Sequence, residues 1–181
     1  ISYFDKNNNY WIIADKYMKE IDTVKCTSGI TDYHDIRILN NGGYIIQSYD
    51  SLFINMSEIV EGGNENAKIE GVLRIQEFNS NHELIFNWFA FDHLNIQDFT
   101  NLNLTIPEFT WMHGNSIEID YDDNLILSDR RSNQIIKIHR TTGDVLWTFG
   151  GPLNTFEIIN DSFEGFTKQH DARRIENGNI L

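Results

Sequence analysis

The stretch Asn115-Ser-Ile-Glu-Ile-Asp-Tyr-Asp-Asp-Asn-Leu-Ile-Leu-Ser-Asp-Arg-Arg-Ser-Asn-Gln-Ile-Ile-Lys-Ile-His-Arg-Thr-Thr-Gly-Asp-Val-Leu-Trp-Thr-Phe-Gly-Gly151 decides the fold. Residues 116–121 alternate, with isoleucines on one face and acids on the other. Asp122-Asp123-Asn124 then turns the chain into Leu125-Ile126-Leu127-Ser128. Residues 134–139 and 144–149 give two more strands, joined by the hairpin signal Thr142-Gly143-Asp144. Four short antiparallel strands in a row form one unit.

The unit recurs. His34-Asp35-Ile36-Arg37-Ile38-Leu39, an Asn-Gly turn and the β-rich run 44–49 open an earlier copy. The alternating run 72–78 continues it, and 83–88 closes it with aromatic side chains two apart, as 144–149 does. His170-Asp171-Ala172-Arg173-Arg174-Ile175, followed by Asn177-Gly178, opens a third. Repeated four-stranded units are the signature of propeller blades. The expected fold is all-β: a β-propeller fragment of four-stranded antiparallel blades. One blade covers Asn115 to Gly151 and another His34 to about His93, with an insertion at 55–68 read as a surface loop. Residues before His34 read as the outer part of an earlier blade, and His170 opens a later one. Residues 1–181 are thus expected to be a partial propeller, about two full blades plus parts of two flanking ones, cut at both ends. A β-sandwich also uses short strands, but the repeated His-Asp openings argue against it.

Composition narrows the function. The chain has 181 residues, 14 Lys plus Arg against 27 Asp plus Glu, and a net charge of −13. Such a surface repels phosphate backbones and anionic membranes, so nucleic acid and membrane insertion are not expected. No apolar run approaches the length of a bilayer span. Hydrophobic residues at 40% exclude wholesale disorder. The lone Cys26 reads as a small buried hydrophobe.

Chemistry follows from position in the repeat. His34, His113 and His170 open the first strands of successive units, and in a propeller these strands line the central channel. Residues far apart in sequence then converge at its mouth. Arg130 ends the second strand of the 115–151 unit, and Asn115 follows His113 by two, on the same side of an extended segment. An arginine, imidazoles and an amide form an anion site, and an imidazole beside an arginine suits transfer of a sulfuryl or phosphoryl group. His82, His93 and His139 read as structural. Asp35 and Asp171 read as acceptors for backbone amides at corners as readily as catalytic parts. Trp88, Trp147 and Phe149 read as core, Gly150-Gly151 as a turn or close backbone approach, and Arg173 and Arg174 as surface charges with one toward the channel.

Trp-Met-His-Gly-Asn-Ser-Ile (111–117), Leu-Ser-Asp-Arg (127–130), Ile-Lys-Ile (136–138), Thr-Gly-Asp-Val-Leu-Trp-Thr-Phe-Gly-Gly (142–151) and Gln-His-Asp-Ala-Arg (169–173) occur in an order that resembles the motif series of the arylsulfotransferase family. Departures are Arg131, where the family often has histidine, and Asp129 in place of a frequent serine. The resemblance implies a six-bladed bacterial propeller enzyme, periplasmic or secreted, that moves a sulfuryl group from a phenolic sulfate ester to a phenol acceptor. It implies a sulfohistidine intermediate and no cofactor. By position, His170 would be the nucleophile, His113, Asn115 and Arg130 would bind the sulfuryl oxygens, and His34 would donate or shuttle a proton. A neutral nucleophile would make activity fall below about pH 6.5, the ordinary histidine value. Two other readings stand beside this one. The first is a non-catalytic propeller binding an anionic or sulfated ligand. The second is a three-histidine metal site, which Arg130 would oppose, so no metal is expected.

Overall fold

Apolar runs without alternation mark strands buried on both faces. Leu125-Ile126-Leu127 and Ile135-Ile136 are such runs, and the computed structural model, which describes residues 1–163 and 165–181, buries both runs completely. The described residues form twelve strands. β1 (Ser2–Asp5), β2 (Tyr10–Ala14) and β3 (Glu20–Val24) make a three-stranded antiparallel sheet. β4 (Ile30–Ile38), β5 (Tyr44–Ile54), β6 (Ala67–Phe78) and β7 (Leu84–Phe89) make an antiparallel meander in chain order. A four-residue helix α1 (Ala90–His93) follows, and β8 (Glu108–Thr110) adds to β6 in parallel. β9 (Gly114–Ile119), β10 (Leu125–Asp129), β11 (Gln134–Ile138) and β12 (Val145–Phe149) make the second meander. No helix among the described residues is long and apolar enough to cross a membrane.

Successive sheets share cores. Trp11, Val24 and Cys26 of the first sheet region pack with Tyr44, Ile46 and Phe78 of the second. The opposite face of the second sheet supplies Ile45, Leu73, Ile75 and Trp88, packed with Ile117, Leu125, Leu127, Ile136 and Ile138 of the third. The far face of the third sheet, Ile126 and Ile135, packs with Ala172, Trp147, Phe149 and Phe166. Cys26 is a buried free thiol, and burial pushes it up to about 12. Gly150 and Gly151 adopt left-handed φ of 81° and 60°, and a Cβ at Gly151 would stand 2.2 Å from the Ser132 carbonyl oxygen.

Several strand limits differ from the sequence expectation. β5 and β6 run on to Ile54 and back to Ala67, paired as Leu52 with Ile69 and Ile54 with Ala67. The expected surface loop therefore shrinks, and it pins a buried Met56 into the core. β4 starts at Ile30 and breaks register between Thr31 and Ile36, so His34 sits in an irregular segment. After His170 only a short hairpin forms, with a bridge between Arg174 and Ile180 and paired Arg173 and Leu181 peptides.

The first strands of the two meanders lie side by side. Asp35 Oδ2 accepts from Ile117 N at 2.8 Å and from Arg173 Nη2 at 2.9 Å, while Arg37 Nε donates to the Ile117 carbonyl at 2.6 Å. Asp35 thus accepts a corner amide, as expected, whereas Asp171 pairs with Arg173 at 2.5 Å. Arg173 and Arg174 are not surface charges. Arg173 also donates to the Ile117 carbonyl at 2.8 Å, and Arg174 grips the buried Asp120 at 2.7 Å. We expect Asp35→Ala to destabilise the fold by about 1–3 kcal/mol, because it strands a peptide N–H and a guanidinium. Asp35→Asn should recover part of the loss, since its amide oxygen still accepts from Ile117. Urea unfolding of the three proteins measures this.

Candidate active site

The irregular segment of β4 is organised by Asp32, which is 5% exposed. Its carboxylate accepts from His34 N and from Gln47 Nε2, both at 2.8 Å, and lies 2.9 Å from His34 Nδ1. An ionised carboxylate can only accept, so Nδ1 carries the proton and Nε2 is the free end of the ring. Tyr33 stacks on His34 at 4.4 Å.

His113 meets His34 edge to face, with ring centroids 4.8 Å apart. Its backbone is clamped on both sides: His113 N donates to Asp129 Oδ1 at 2.6 Å, and its carbonyl accepts from Arg130 N at 2.9 Å. Gln47 Nε2 and the Tyr49 hydroxyl both donate to the next carbonyl, that of Gly114, at 3.1 and 2.9 Å. Asp129 is fully buried, which raises its carboxyl, and it also receives the Ser132 hydroxyl and the Arg131 and Ser132 amides. Burial lowers the His113 imidazole below its ordinary value, and the charges of His34, Arg130 and His170 add to this against the opposing pull of Asp32.

His170 stands on a segment held from three sides. Gln169 Nε2 donates to the carbonyls of Asp129 at 3.0 Å and Gln134 at 2.8 Å. Asn115 Nδ2 donates to Gln169 O at 3.0 Å, and its Oδ1 accepts from Asp171 N at 3.0 Å. Asn115 therefore grips the peptides on either side of His170, leaving at most one amide hydrogen for a ligand. Lys168 and Asp171 take left-handed φ of 56° and 63°, strain of the kind that surrounding contacts must hold in place. The exposed His170 places Nδ1 3.2 Å from the Lys168 carbonyl. A carbonyl cannot donate, so Nδ1 holds the proton and Nε2 presents its lone pair.

Arg130 is half-buried and has no carboxylate within ion-pair distance among the described residues, unlike Arg37, Arg74, Arg140, Arg173 and Arg174. A cleft of about 410 Å³ opens beside His34 and His113, walled by Tyr33, Tyr49 and Met112 and by the acids Asp32, Asp50 and Glu70, while Arg130 and His170 stand outside its lining. A larger cleft of about 640 Å³, near Lys25, Tyr44 and His82, gathers no comparable set of titratable groups.

His34 and His113 are thus in contact, and Arg130 and His170 are near enough for their charge to reach His113. Sequence reasoning missed Asp32, Gln47, Asp129 and Gln169 as the groups that hold them. Asp32 carries a signal in hindsight, two positions before His34 in an extended segment. The other histidines serve locally: His82 pairs with Asp22 at 3.1 Å, His93 stacks on Trp88, and His139 Nδ1 accepts from Thr142 N at 3.2 Å. Among the described residues no three His, Cys, Asp or Glu side chains are disposed to hold a metal ion.

The sequence profile of the family described as Arylsulfotransferase (ASST) matches residues 3–180. The chain belongs to the arylsulfotransferase family. No curated protein matches the chain significantly. The family match takes in both meanders and every candidate residue of this arylsulfotransferase-family site.

His113 should titrate below about 6.5 and stay neutral at neutral pH. Its folded form resists protonation, so its contribution to stability is present above that value and is lost as pH falls below it. Arg130→Gln should move the His113 midpoint up and Asp32→Asn should move it down. Nuclear magnetic resonance of the imidazole carbon-bound protons against pH measures both.

Proposed function

We propose that this chain carries the catalytic centre of an aryl sulfotransferase, which moves a sulfuryl group from a phenolic sulfate ester to a phenol through a sulfohistidine on His170. The reading is supported by the contact of His34 with His113, by Arg130 and His170 lying near enough for their charge to reach His113, and by Arg130 having no carboxylate within ion-pair distance among the described residues. Sulfate esters are anions, and a donor cluster whose cation is unpaired is complementary to them. The reading extends to the fold. Consecutive sheets share cores, and β4, β9 and the 172–174 segment meet through Asp35, Ile117 and Arg173, as adjacent inner strands of a propeller would. On this view residues 1–181 are two blades and parts of two others in a six-bladed ring. The family's periplasmic or secreted setting is carried with the proposal.

In the first half-reaction the Nε2 lone pair of His170 attacks sulfur, the nitrogen–sulfur bond forms and the bond from sulfur to the aryl oxygen breaks. Arg130 and His113 donate to the sulfuryl oxygens as charge shifts toward the leaving oxygen. His34, entering the step with a second proton on Nε2 while Nδ1–H stays on Asp32, gives that second proton to the oxygen and is left neutral, and the phenol departs. In the second half the acceptor phenol returns a proton to His34 and its oxygen attacks the same sulfur. The nitrogen–sulfur bond breaks, His170 regains its neutral ring, and every proton is accounted for. Asn115 and Gln169 act by positioning the peptide that bears the nucleophile. Tyr33, Tyr49 and Met112 supply apolar surface for an aryl ring.

Brief exposure of the protein to 4-nitrophenyl sulfate, followed by peptide mass spectrometry, should find one sulfuryl group on His170. His170→Ala should abolish both the adduct and the phenol burst, lowering turnover by at least about 10³. Bound aryl sulfate with no burst and no adduct would favour the non-catalytic binding reading, and an adduct on another residue would displace His170 from its role.

A further inference from the structure

Arg130 has a second face. It also lines a separate pocket of about 340 Å³ with Arg131, Lys168, Asn101, Asn103 and Asn133, backed by the apolar side chains of Leu102 and Phe109. Among the described residues no carboxylate lines this pocket, and neither Arg131 nor Lys168 has an ion-pair partner. That is unusual in a chain of net charge −13, where Arg74, Arg140, Arg173 and Arg174 are all compensated. Arg131 is already oriented: its Nε donates to Thr110 O at 3.2 Å, which leaves both terminal nitrogens for a ligand. Asn101 Nδ2 fixes the Arg131 carbonyl at 3.1 Å. The Asn133 carbonyl oxygen takes the Lys168 amide at 2.8 Å, so its amide hydrogens remain as donors. Three cations and an amide donor around an apolar wall form a site for an anion attached to something flat or apolar.

The pocket adjoins the histidine cluster through two residues. Arg130 acts on His113 while lining the pocket, and Lys168 lies two residues before His170, whose Nδ1 donates to the Lys168 backbone carbonyl. A ligand whose sulfuryl group sits at the imidazoles can therefore extend past Arg130 into the basic pocket. We propose that this pocket recognises a second anionic group on the substrate, and that the preferred aryl sulfates and phenols carry a carboxylate, sulfate or phosphate besides the transferred group. This rests on the sulfotransferase reading and narrows its substrate class.

The test compares 3- and 4-carboxyphenyl sulfate with their neutral carboxamide counterparts as donors. The wild-type protein should favour at least one carboxylate in kcat/KM by roughly tenfold, the worth of one charge-assisted hydrogen bond. That ratio should collapse toward one in Arg131→Gln and in Lys168→Gln, and Arg131→Lys should restore part of it. Asn103→Asp, on an exposed loop position, should lower the ratio without removing any existing contact of Arg131. Equal rates for carboxylates and carboxamides in the wild type, or a preference that survives all these substitutions, would overturn the proposal. If no aryl sulfate is turned over, the sulfotransferase reading fails while the pocket is still judged on its own. Calorimetry would then show 4-hydroxybenzoate binding more tightly than 4-hydroxybenzamide, with the difference lost in Arg131→Gln. No such difference would remove the pocket as well.

Discussion

The peptide of Ile117 is the joint on which the site's geometry depends. β9 is the edge of its sheet, and an edge strand leaves backbone donors and acceptors without a ladder. Here side chains complete the edge: Asp35 takes the Ile117 N–H, while Arg37 and Arg173 supply its carbonyl. The three come from the strand before and the segment after, so one peptide fixes the relation of three successive chain units. The side chains also satisfy one another, because Arg173 bridges Asp35 and Glu118. With β4 and β9 held edge to edge in this way, His34 and His113 have little choice but to meet.

Around those rings, the protein places its buried negative charge under backbone rather than in open ion pairs. Asp129 gathers the amides of His113, Arg131 and Ser132, and Asp32 gathers the His34 amide and the Gln47 side chain. Each carboxylate therefore shapes a turn that carries a functional side chain. Among the described residues the arrangement leaves Arg130 without a carboxylate at ion-pair distance, although acids outnumber bases in the chain. It also explains why burial and like charge, rather than a neighbouring carboxylate, dominate the His113 imidazole.

Much of this was legible in the sequence because repeats turn linear spacing into spatial phase. The places of His34 and His113 at the openings of successive units pointed to two rings that do meet, and turn residues such as Asp122-Asp123-Asn124 located the strand ends. What was illegible came from interactions between units. Arg173 and Arg174 looked like surface charges because their partners, Asp35, Glu118 and Asp120, lie many residues away. Asn115 looked like a free donor, and nothing in its own strand announced that residues 169–171 would close over both its ends. The break in β4 that lets Asp32 reach back to His34 is likewise a tertiary choice, made just ahead of and within the opening of a strand that the sequence reading begins at His34.

The carbonyl of Lys168 has a meaning beyond fixing a tautomer. A ring whose Nδ1 is engaged by that oxygen cannot turn over without breaking the hydrogen bond, so Nε2 is held facing outward. The left-handed backbone at Lys168 thus sets which edge of the imidazole a visiting molecule can meet.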